Sequence, residues 1–117
     1  MAEERKPVVW NGHHFTVPPF TEEGQDEAGM LLRHLQEGLT LSPPQAKPLP
    51  AVGPKCGELR VRDAGHNWRI VYHIDDEVIV ILDVFAKTSP QSQTQSIERC
   101  RSRLAEFKAI KAATKKK

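Results

Sequence analysis

Three arginines in the middle of the chain stand where an extended backbone would gather them. Arg60 and Arg62 alternate with Leu59 and Val61, and Arg69 sits in the next run of alternating residues. Side chains two apart in a strand leave from the same side, and a neighbouring strand can set a third beside them. Guanidinium groups placed together repel, and folding does not reward the arrangement unless an anion is bound. The forked N–H donors of arginine suit a phosphate or a carboxylate, so anion binding is the chemistry such a group would perform. The alternative is an ordinary solvated strand face, in which Glu58, Asp63, Asp75 and Asp83 pair with these arginines.

The elements that must position them follow from periodicity. Leu59 and Val61, then Trp68, Ile70, Tyr72 and Ile74, recur at period two, and Val78 to Phe85 is a β-branched and apolar run suited to a central strand. Asp63-Ala64-Gly65 and Asp75-Asp76 supply tight turns, giving a three-stranded antiparallel meander. Upstream, Thr21 is an N-cap followed by Glu22 and Glu23, and Ala28, Leu31, Leu32, Leu35 and Leu39 form one helical stripe ending near Gly38. Residues 40–57 carry repeated prolines and read as a connecting loop that no helix or inner strand can cross. Ser89 and Pro90 open a second helix with Ile97, Cys100, Leu104 and Phe107 on its apolar face. Val8, Val9 and Trp10, followed by Asn11 and Gly12, suggest an N-terminal edge strand and turn. The expected fold is α+β: a small antiparallel sheet, the meander plus this edge strand, with the helices packed on one face.

With 117 residues the chain fits one domain, with a core over about residues 7–108 and a frayed basic tail at 111–117. Its net charge of +2 is unevenly placed: residues 1–40 hold three basic and seven acidic side chains, residues 97–117 eight and two. Arg99, Arg101, Arg103 and Lys108 therefore form either a solvated helix face or a surface for RNA phosphates. Cys56 and Cys100 lack zinc-site spacing and are too few for a disulfide framework, which points to a reduced chain in the cytoplasm. Neither a signal-peptide pattern nor an apolar run of membrane length is present, so no membrane partner is expected.

The stretch GELRVRDAGHNWRIVYHIDDEVIVILDVFAK, followed by IERCRSRL and preceded by LRHLQEG, resembles the Gp49-like, or HigB-like, branch of the RelE/ParE toxin family. The matching pieces are Glu58-Leu59-Arg60, Trp68-Arg69-Ile70-Val71-Tyr72, Phe85-Ala86-Lys87, and Ile97 with Cys100, Arg103 and Leu104. The likeness spans about residues 28–107, and its short motifs keep their order and spacing. It implies a RelE-like fold and the toxin of a type II toxin-antitoxin system, an endoribonuclease that cuts messenger RNA on the ribosome and stops translation. In that chemistry the adjacent 2′-hydroxyl attacks the phosphate without metal or cofactor, and fixed cations stabilise the charge of the phosphorane. The resemblance assigns Arg69, Lys87 and Arg62 to catalysis, Arg69 as transition-state stabiliser, and RNA contact to Arg60; the charge of the closing helix adds Arg99 and Arg101 as RNA contacts. It implies a helix-turn-helix antitoxin as partner, besides ribosome and messenger RNA. Thr88 departs from the pattern, standing where the family often has a second lysine. His66, read as a turn residue, and His73 are the candidate general bases, while Tyr72 reads as core. The competing expectations are a ParE-like gyrase inhibitor that performs no chemistry and an inactive phage-derived relative.

Overall fold

The computed structural model describes residues 6–9, 20–39, 41 and 43–115. Seven elements follow in chain order: β1 (Val8–Val9), α1 (Glu22–Gln36), β2 (Ala46–Pro48), β3 (Cys56–Asp63), β4 (His66–Ile74), β5 (Ile79–Ala86) and α2 (Pro90–Lys115). One five-stranded sheet runs in the order β1-β5-β4-β3-β2, antiparallel throughout except for β1, which lies parallel to β5. The meander is the expected one. Its first turn places Ala64 at φ 49° and Gly65 at φ 81°, the left-handed pair that lets a two-residue hairpin follow the strand twist. The edge strand at Val8 and Val9 is also present, while Trp10 and the turn read at Asn11 and Gly12 lie outside the described residues.

The helix ends follow their sequence signals. The Thr21 hydroxyl accepts the Gly24 N–H, with Glu22 and Glu23 in the first turn of α1. Gly38, at φ 81°, donates to the Leu35 carbonyl while Leu39 donates to His34, closing the helix with a Schellman motif. Leu39 thus lies past the helix and is exposed, so the apolar stripe ends at Leu35. Ser89 caps α2: its hydroxyl accepts the Ser92 N–H and the Ser92 hydroxyl accepts the Ser89 N–H, a reciprocal capping arrangement.

Three expectations need correction. The helices do not share a face: α1 packs over Leu59, Val61, Trp68, Ile70, Tyr72, Ile79 and Ile81, and α2 over Cys56, Val71, Val80 and Leu82 on the other. The reason lies in the strands, because Ile70, Val71 and Tyr72 are buried in succession, as is Ile79 through Val84, and such runs need cover on both sides. The tail expected to fray from residue 111 instead continues α2 to Lys115, and Lys111 Nζ donates to both Asp75 oxygens at 2.7 and 2.8 Å. Within the stretch read as a loop, β2 adds a short edge strand, its position at the sheet margin consistent with its proline.

A bulge at Val71/Tyr72 sets the second layer. Val71 pairs with Asp83 and Tyr72 with Ile81, leaving Leu82 as the extra residue and turning both Leu82 and Asp83 toward α2. Asp83 then anchors the helix: its Oδ2 accepts from Ser96 and from Arg99, each at 2.7 Å, and its Oδ1 from Arg103 at 3.3 Å. Among the described residues no helix is long and apolar enough to cross a membrane.

Candidate anion-binding cleft

The strand register brings the three mid-chain arginines together. Arg60 on β3 and Arg69 on β4 are direct cross-strand partners, and Arg62 stands opposite Asn67. All three share the face that α2 covers further along, where Val71 and His73 sit, and they occupy its uncovered end. Together with Gln45, Asn67 and Glu27 they line a cleft of about 360 Å³. Gln45 is fixed there because its backbone carbonyl accepts the Arg60 N–H at 2.8 Å, just before β2 begins.

The arginines differ in exposure. Arg62 is exposed and its Nε donates to Asn67 Oδ1 at a long 3.5 Å, whereas the side chains of Arg60 and Arg69 are 30% and 13% exposed. Between the last two lies Glu58, 3% exposed, two residues before Arg60 on the same side of β3. Its Oε1 is 3.9 Å from Arg60 Nη2 and its Oε2 is 3.4 Å from Arg69 Nε. Neither approach has hydrogen-bond geometry, since Glu58 Oε2, Arg60 Nε and Arg69 Nε are buried without a hydrogen bond. Burial lowers the Arg69 pKa, Glu58 opposes that shift and Arg60 adds to it. The guanidinium nevertheless stays charged at neutral pH, as arginine does in proteins. Three guanidiniums thus face one buried carboxylate, with Glu27 at the rim, and the surplus is positive.

The other candidates fall elsewhere. Lys87 follows β5, half-buried, and its backbone N–H bonds to the carbonyl of the cleft residue Asn67 at 2.8 Å; its side chain is not part of the lining. Arg99 is tied to Asp83, and Arg101 is exposed on α2. His66 is exposed and begins β4 rather than standing in the turn, its ring stacked on Trp68 at 5.8 Å. His73 is buried beneath α2, with Nδ1 3.1 Å from the Pro54 carbonyl and 3.4 Å from Cys56 Sγ. Burial, then Lys108, lowers its pKa, and it lies outside the cleft lining. Tyr72 is core, as read from the sequence. Burial pushes the two free thiols up, Cys56 to about 11 and Cys100 to about 12, so neither is a poised nucleophile.

Of the acidic residues weighed as partners, only Glu58 meets the cleft arginines. Asp63 is buried and accepts the Thr21 backbone N–H at 2.8 Å and its hydroxyl, while Asp75 holds Lys111. Glu58 was visible in the alternation of β3, but Gln45 was not, because a proline-rich loop brings it to the cleft. No grouping of three or more His, Cys, Asp or Glu able to hold a metal ion occurs among the described residues.

No curated protein and no solved structure matches the chain. The family model described as phage derived protein Gp49-like matches residues 19–105, a span that takes in α1, the cleft and most of α2. The chain, matched over most of its length, therefore belongs to the Gp49-like family of phage-derived proteins (DUF891), part of the RelE/HigB toxin-like group.

Proposed function

We propose that this chain is the toxin of a type II toxin-antitoxin pair and acts as a ribosome-dependent endoribonuclease. The observation that carries the reading is the cross-strand Arg60–Arg69 pair, joined by Arg62 in one cleft with a surplus of positive charge. In the reaction the 2′-hydroxyl gives its proton to water as its oxygen forms a bond to the adjacent phosphorus, and the bond to the 5′-oxygen breaks as that oxygen takes a proton from water. Negative charge grows on the non-bridging oxygens as the phosphorane forms, and donors already fixed there stabilise that state more than the ground state. Arg69 is the best-held donor, mid-strand and packed against Glu58, and takes that role. Arg62 and Arg60 orient the phosphate, while Lys87, outside the lining at the end of β5, meets RNA beside the cleft. Arg101, and Arg99 beyond its bond to Asp83, add contacts to RNA phosphates. A small repressor-like antitoxin silences the protein in the cytoplasm until it is released.

A second reading, a binding module that inhibits gyrase or an inactive relative, has one observation in its favour: Glu58 offsets part of the charge on two of the three arginines. The two separate in a translating extract. Purified protein should produce new transcript 5′ ends inside ribosome-bound codons, with DNA supercoiling unaffected; intact transcripts and blocked supercoiling would transfer the assignment to the second reading.

A further inference from the structure

Glu58 is an unusual neighbour for a cationic cleft: it stands behind two of the arginines that line it and is not itself part of the lining. Its side chain is 4% exposed, yet Oε2 has no hydrogen bond and its two cationic neighbours lie at 3.4 and 3.9 Å. A buried charge so loosely held is costly, and apolar packing could fill the position at lower cost. What the position gains is geometric. Arg60 and Arg69 are directly opposed across the strands, where like charges repel, and Glu58 is diagonal to Arg69 and two residues from Arg60. It approaches Arg69 on the Nε edge and Arg60 through Nη2, and among the described residues the Arg69 fork makes one hydrogen bond, a long one from Nη1 to the Trp68 carbonyl at 3.4 Å. The terminal amino groups therefore keep donors to give an anion entering from the cleft.

We propose that Glu58 is a positioning residue: from beneath, its carboxylate holds the Arg60 and Arg69 guanidiniums side by side at a spacing that clasps a single phosphate group. The inference rests on the cleft being an anion site, as in the function proposed above, but not on the chemistry that follows. A bound phosphate would supply the second charge around which the loose contacts tighten, as polar contacts in unliganded sites commonly do.

The test keeps charge apart from reach. Glu58→Asp preserves the charge and shortens the side chain by one methylene; Glu58→Gln preserves the shape and removes the charge. The side-chain Nε–H resonances of Arg60 and Arg69 are followed by NMR during titration with inorganic phosphate. In the wild-type protein both resonances should be resolved and shift together on a single isotherm. Both variants should lose the resolved pair, and Glu58→Asp should bind phosphate about tenfold more weakly despite its unchanged charge. A Glu58→Asp protein that matches the wild type in affinity and resonances overturns the proposal. Tighter phosphate binding by Glu58→Gln with both resonances intact does so too, because Glu58 would then only subtract charge. If Glu58→Asp fails to fold, Glu58→Gln decides the matter alone by the same two signals. The titration does not involve RNA cutting. A wild-type protein that binds phosphate in this way but leaves ribosome-bound transcripts intact would sink the nuclease reading and leave the role of Glu58 standing.

Discussion

Arg62 and Arg69 line the same cleft but differ in what holds them, so their removal should have separable effects. Arg62 is exposed, with one long hydrogen bond to Asn67. Arg62→Ala is expected to change stability by no more than about 0.5 kcal/mol and to lower the salt slope of single-stranded RNA binding by roughly one contact. Urea unfolding and an anisotropy salt titration read these two quantities. Arg69→Ala leaves Glu58 buried with Arg60 alone at 3.9 Å, and should cost on the order of 1–3 kcal/mol in the same unfolding experiment. His73 supplies a pH signature. Its folded pKa lies below the ordinary 6.5, first through burial and then through Lys108, so the unfolded chain takes up a proton that the folded one refuses. The stabilisation is therefore complete above about pH 6.5 and is lost as pH falls toward the lower, folded value. Thermal unfolding followed from about pH 7 to pH 5 should show this decline, and His73→Gln should flatten it; an unchanged slope would remove His73 as its source. At this scale the sequence revealed which residues share a side, since parity alone groups Glu58, Arg60 and Arg62. It did not reveal that Glu58 is buried, because burial depends on how neighbouring strands and loops close around it.

At the scale of elements, α2 is held to the sheet by a bulge and the carboxylate it turns. Asp83 binds Ser96, Arg99 and Arg103, and Arg103 also donates to the Leu82 carbonyl at 2.7 Å. Asp83→Ala removes the shared acceptor and should cost about 3 kcal/mol, seen as a lower urea midpoint with the slope unchanged. A loss under about 0.5 kcal/mol would mean that apolar packing of Cys100 and Leu104 is what seats the helix. The meander, the Thr21 and Ser89 caps and the Gly38 terminator were all legible, because each rests on local chemistry: period two, a side-chain acceptor, a positive φ. The seating of α2 was not. Period two in β4 sets Val71 and His73 opposite the Trp68 stripe, on the side expected to carry no helix, whereas both are buried under α2. Strand β2 escaped notice for a similar reason, since its three residues join the sheet by backbone pairing with β3, a long-range contact that side-chain pattern does not encode.

Across the whole molecule, the two covering helices decide where charge is available. The basic C-terminal stretch looked like a single surface in the sequence, yet Arg99 and Arg103 are bound to Asp83 and Lys111 to Asp75. Much of that charge fastens α2 to the sheet. The uncovered end of the same sheet face keeps Arg60, Arg62 and Arg69 around a cleft, and in the function proposed above the anion it takes is an RNA phosphate. The account turns on those guanidiniums acting on a phosphate. Its most direct test is the rate of transcript cutting in a translating extract by Arg62→Ala, a variant expected to keep the fold, against the wild-type protein. The account predicts cuts within ribosome-bound codons by the wild type and a fall of about a hundredfold for the variant. A folded Arg62→Ala protein cutting at the wild-type rate would contradict it.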